Sequence, residues 1–120
     1  MTANPDPGPA TPASRFIPDL AAHIEPPADG TLSVTVHQDE HIKAVLFGFA
    51  KGQELSEHTA AVPAIMHQLR GKAQWIVDGT THDAPAGAWC HMPAHTPHTV
   101  IAAEPCVMLL LLLKGAKASE

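Results

Sequence analysis

Cysteine, positive charge and long apolar runs are all scarce in this chain, and each scarcity closes off a class of function. Only Cys90 and Cys106 are present, far apart and outside any Cys-x-x-Cys spacing. A disulfide framework would need more of them at this size, so reduced thiols and a cytoplasmic protein are expected. Seven Lys and Arg stand against 12 Asp and Glu, a formal net charge of −5, with no basic stripe and no helix-turn-helix pattern. That balance disfavours a surface that tracks phosphates, so no nucleic-acid partner is expected. The longest apolar run, Val107 to Leu113, is far shorter than the about 20 helical residues that cross a bilayer core of about 30 Å. No basic segment leads into an apolar run near the N-terminus, so neither a membrane partner nor a secretory signal is expected. Phosphate loops, dinucleotide fingerprints and an ordered Ser-His-Asp set are missing as well.

What is present fits one hydrophobic core. The chain has 120 residues, 45% of them hydrophobic and 16% charged, the profile of a single globular domain. Residues 1–14 hold Pro5, Pro7, Pro9 and Pro12, which remove backbone donors and fix φ, so a disordered tail is expected there. Residues 15–29 form a docking segment in which Phe16, Ile17 and Leu20 pack a short strand or turn ahead of Pro26-Pro27. From Gly30 the hydrophobic period is two. Leu32, Val34 and Val36 alternate with Ser33 and Thr35, and Val45, Phe47 and Phe49 recur at every second position up to Ala50. Further strands are expected near Leu55 to Thr59, Ala64 to Arg70, Lys72 to Val77, Thr80 to Asp83, Trp89 to Met92, Thr96 to Ala102 and Cys106 to Leu113. Asp78-Gly79 between two of them reads as a type I′ hairpin turn. The expected fold is all-β, a barrel or sandwich over residues 30–114 with a short flexible tail over 115–120.

Two glycine-anchored histidine segments sharpen this. Gly52, His58 and Gly71 keep the frame of the first signature motif of the cupin superfamily, and Gly87, Pro93 and His98 keep the frame of the second. The chain resembles a small single-domain cupin over most of its length. That resemblance implies an antiparallel jelly-roll β-barrel that often holds a transition metal. It also departs from the pattern. Ala60 and Ala64 stand where the family has its second His and its Glu, His95 stands for a Gly, and Ala102 for an Asn.

Projected onto the cupin pattern, His58 and His98 converge near the barrel mouth as candidate metal ligands. With the inward face taken from that resemblance, strand alternation implies that Ala60, Ala64, Met66, Gln68, Cys90, Met92, Val100 and Ala102 line the ligand pocket. Two imidazoles fall short of the three protein ligands that a first-row metal usually takes. Gln68, His67, His91 and His95 are the candidates for extra ligation. Met66, Cys90 and Met92 would favour Cu(I) if they converged, and the plainer reading makes them core filler. A bulge in the turn Ala61-Val62-Pro63 would turn His67 inward.

Two functions fit these residues. One is a small-molecule-binding cupin, metal-free or weakly metal-binding, whose Ala60 and Ala64 leave room inside the barrel. The other is a small metal-dependent cupin enzyme of dioxygenase, isomerase or lyase type, with a rearranged site holding Fe, Mn, Ni, Cu or Zn. The leucine strand 107–113, apolar on both faces, needs cover on both. Either a second subunit, giving a homodimer, or the N-terminal segment supplies it.

Overall fold

Alternating apolar side chains build nine strands among the described residues, because one face of each strand must leave water while the other stays in it. The computed structural model describes residues 13–115. A 3-10 turn, Leu20–His23, precedes β1 (Thr31–Gln38), β2 (Lys43–Phe49), β3 (Glu54–His58), β4 (Ala64–Arg70), β5 (Ala73–Val77), β6 (Thr80–Ala84), β7 (Trp89–Met92), β8 (His98–Ala102) and β9 (Cys106–Leu112). They form a five-stranded sheet in the order β1-β2-β9-β4-β7 and a four-stranded sheet in the order β3-β8-β5-β6. Every pairing is antiparallel. Asp78 and Gly79 join β5 to β6 with φ of 51° and 80°, the positive pair that a type I′ turn requires. The last inner strand starts at His98, not at Thr96 as the pattern suggested, because Pro97 has no donor for a ladder.

The main core lies between the sheets. Phe49, Met66, Trp75, Met92, Val100, Cys106 and Met108 pack there, with Leu110 and Leu112 half-buried against them. A second apolar layer covers the outer face of the larger sheet. Leu46, Val107 and Leu109 meet Ile24, with Ile17 and Leu20 packed beside them. The N-terminal segment thus covers one face of the leucine strand within the chain itself. Leu109→Ala empties space in this outer layer and should cost about 2–4 kcal/mol in a urea melt. The variant should still show a β-rich circular dichroism spectrum.

Two expectations are corrected here. Phe16 does not dock, being 84% exposed. Leu32 and Val34 are not half-buried partners of Val36. Leu32 is 52% exposed on an edge strand, and the N-terminal cover reaches only the Val36 end of it.

Candidate functional site

His58 ends β3 and His98 begins β8, and the two are paired across the ladder. Regular alternation would not bring them to one face together with Leu55 and Val100, which are also paired. A β-bulge resolves the conflict, with Ser56 and Glu57 lying opposite the single residue Thr99. The extra residue turns His58 onto the inner face, and the ring centroids of His58 and His98 lie 4.1 Å apart, tilted by 57°.

Both rings are oriented in the same way. His58 Nδ1–H donates to the Ser56 carbonyl at 2.7 Å, and His98 Nδ1–H donates to the Thr96 carbonyl at 2.8 Å. A carbonyl only accepts, so Nδ1 carries the proton in each ring and Nε2 is left with its lone pair. The loop before His98 is braced for this. Thr96 Oγ1 donates to the Pro93 carbonyl at 2.7 Å, and Asp78 N–H donates to the Pro97 carbonyl at 3.0 Å. His98 is buried and His58 is exposed, so the pair spans the boundary between core and solvent.

Burial pushes His98 below the usual histidine range, the Thr96 carbonyl opposes this, and the nearby His58 adds to the lowering. The unfolded chain therefore takes up this proton more readily than the native one. The stabilising contribution is complete above about pH 6.5 and is lost as pH falls from there through the lower native value. Urea midpoints between pH 7.5 and 5.5 should fall further for the wild type than for His98→Gln.

The structure separates the remaining candidates. Ala60 sits at the mouth, where its carbonyl accepts the backbone N–H of His95 at 2.7 Å. Ala64 and Met92 are paired, inward and buried, at the same end of their sheet. Met66 and Val100 have 0% accessible surface, so no water-sized void touches either side chain. Cys90 is half-buried opposite Met66. Ala102 and Gln68 lie at the far end of the barrel. There the Gln68 side-chain amide donates to the carbonyls of Arg70 and Gly71 at 3.2 and 3.4 Å, well away from the histidine pair.

His67 and His91 take outer-face positions, paired with Trp89 and Ile65 respectively. The bulge that would have turned His67 inward is not at residues 61–63. The bulges fall between Thr35 and His37, Leu55 and His58, and Gln68 and Arg70. His95 is exposed on the rim with φ of 67°, a conformation that glycine adopts without strain. This position carries Gly in the cupin motif, which gives His95→Gly a clear expectation. It should stabilise the fold by about 1 kcal/mol, read as a higher melting temperature.

Nine antiparallel strands among the described residues, in two sheets packed face to face over an apolar interior with a histidine pair at one end, define a double-sheet jelly roll. The family model described as "Cupin domain" matches residues 45–112, and the chain belongs to that family. It is similar to a cupin superfamily protein from Desulfitobacterium hafniense, with 28% identity over 85% of this chain and 93% of that one, at a TM-score of 0.75. It is similar too to the conserved SPY1581 protein of unknown function from Streptococcus pyogenes, with 30% identity over 88% and 92% of the two chains, at a TM-score of 0.76. Salicylate 1,2-dioxygenase from Pseudoaminobacter salicylatoxidans shares the fold at 11% identity, over 72% of this chain and 25% of that one, with a TM-score of 0.67. Among curated proteins none is detectably similar in sequence. Among the described residues no helix is long and apolar enough to cross a membrane.

The transition metal common in this family finds an incomplete donor set here. Two imidazole rings lie side by side, each with one free Nε2 lone pair. No group of three His, Cys, Asp or Glu residues that could hold a metal ion occurs among the described residues. Ala60 and Ala64 have no electron pair on their side chains to give, and the Gln68 amide is engaged at the other end of the barrel. The residues present do not fit a three-ligand metal centre.

Proposed function

We propose that this cupin-domain protein binds a small, largely apolar molecule at the mouth of its barrel, through the Nε2 atoms of His58 and His98, holding a metal weakly or not at all. The observation that carries the reading is the matched tethering of the two rings. With both Nδ1–H groups engaged by carbonyls, each neutral imidazole offers one acceptor and nothing else. A ligand with an O–H or N–H donor satisfies that acceptor. Its apolar body rests on Ala60 and beside Ala64 and Met92, above the filled level of Met66 and Val100. Replacing a His and a Glu by alanine removes charge and bulk at this spot, which suits such a ligand.

The second reading, a metal-dependent cupin enzyme with a rearranged site, draws on the same tethering, since metal-ligating histidines commonly engage their other nitrogen in this way. His95 on the rim is its candidate third donor. Elemental analysis of protein purified without a histidine tag, followed by calorimetric titration with phenol, separates the two. Metal well below stoichiometric and saturable phenol binding that is lost in His58→Ala support the first reading. Stoichiometric Fe, Mn, Ni, Cu or Zn overturns it in favour of the second.

The homodimer remains part of this proposal. Leu113 and Leu111, the latter packed only in part against the N-terminal layer, are half-buried and are the leucines with surface to offer a second copy. Light scattering tests it, with Leu111→Lys expected to give monomer.

A further inference from the structure

The two sheets share no ladder, so each ends in unpartnered edge strands. β6 is the edge of the smaller sheet and β7 the edge of the larger one, and neither has a ladder partner across the gap. A cleft of about 270 Å³ lies there, lined by Trp75, His82, Asp83, Ala88, Trp89 and Cys90. Its walls come from both faces of the sheets. Trp75 pairs with His82 on the inner face of the smaller sheet, while Asp83 pairs with Gln74 on the outer face. Cys90 and Trp89 are adjacent on β7 and so take opposite faces. An opening between two strand edges shows both faces at once, and this cleft is such an opening.

Two observations give it chemistry. Trp75 is 2% exposed, and its buried Nε1–H meets no acceptor. A buried donor left unmade is costly, so it favours any ligand that brings an acceptor to it. Trp89 is 60% exposed at the rim, an unusual place for the largest apolar side chain and a ready platform for a flat ring. Asp83, also exposed, supplies an anionic acceptor on the same cleft. Burial and the charge of Asp78 push the Cys90 thiol up, so the sulfur forms an uncharged wall. The volume exceeds the roughly 150 Å³ known to take a benzene ring, which leaves room for one substituent.

We infer that the seam between β6 and β7 is a second binding site, distinct from the histidine mouth, for a single-ring aromatic molecule carrying a carboxamide or ring lactam. The ring stacks on Trp89, the carbonyl accepts from Trp75 Nε1–H, and the amide N–H donates to Asp83. A carboxylate in place of the amide lacks the donor and meets the charge of Asp83, so it is rejected.

The chain has two tryptophans, and hence two indole N–H signals in a nitrogen–proton correlation spectrum. Benzamide titrated to millimolar concentration should move the Trp75 signal downfield along a saturating curve. Benzoate and toluene should bind at least about tenfold more weakly, the factor that one lost hydrogen bond accounts for. Trp75→Phe, which keeps a ring and loses the donor, should weaken benzamide by a similar factor. The surface variants Asp83→Ala and Trp89→Ala, which leave the core untouched, should each weaken it severalfold. His58→Ala should leave benzamide binding unchanged, which keeps this site separable from the mouth. A Trp75 signal that does not move, toluene binding as well as benzamide, or unchanged affinity in Asp83→Ala and Trp89→Ala would each overturn the assignment.

Discussion

Replacing Gly71 by alanine should cost about 3 kcal/mol and lower the melting temperature by about 10 °C. Gly71 has φ of 71°, where a side chain is strained by about 1–2 kcal/mol. The added Cβ would also press on the Pro105 carbonyl oxygen and stand 2.7 Å from Cys106 Cβ, contacts that require backbone to move. Overpacking of this kind costs about 1–3 kcal/mol. Gly52 provides the control. Its φ is 85°, but an added Cβ there meets nothing within 4 Å. Gly52→Ala should therefore show the strain alone, about 1 kcal/mol. Calorimetric melts of the two variants check the difference, and equal losses would show that the close approach to Cys106 is unimportant.

The second large effect concerns the histidine pair. His58→Ala and His98→Ala should each remove most phenol binding, and the double variant should lose little more than either single one. The reason is mutual placement. Each ring packs on the other at a centroid distance of 4.1 Å, and His58 is on the inner face only because the bulge keeps the register with His98. Removing either ring frees the other to turn toward water. His82, exposed in the seam, should leave phenol binding unaffected when mutated. Additive losses in a calorimetric double-mutant cycle would mean that the two rings act separately.

The barrel was legible in the chain because its signals are local. Val45, Phe47 and Phe49 recur with a period of two, Asp78-Gly79 is one of the few pairs that a type I′ turn favours, and the motif glycines Gly52, Gly71 and Gly87 all take positive φ. Gly71 shows why the frame survives where the ligands do not. Its requirement is steric and belongs to the fold, whereas the positions now held by Ala60 and Ala64 answer to a ligand. The leucine strand showed that two covers are needed, and nothing in its apolar letters distinguishes Ile17 and Leu20 from a second subunit.

Bulges were the main thing that periodicity could not locate. One extra residue in a strand changes no composition and leaves no signature, yet it decides which face His58 takes. A bulge at residues 61–63 would have turned His67 inward, and the actual one between Leu55 and His58 favours His58. Gln68 shows a related limit. Alternation placed it correctly inward, and its distance along the barrel from His98 emerged only from the strand register and from its bonds to Arg70 and Gly71. The cleft at the β6–β7 seam was beyond sequence reasoning, since which strands become sheet edges is a property of the whole topology.

The central claim is that His58 and His98 both present an Nε2 lone pair at the barrel mouth. Long-range nitrogen–proton correlation spectra of the histidine rings at pH 7.5 test it most directly. Both residues should report a neutral ring protonated on Nδ1, with Nε2 at the shift of an unprotonated nitrogen. An Nε2-protonated ring at either position would contradict the account, because that ring could no longer accept the proton of a ligand.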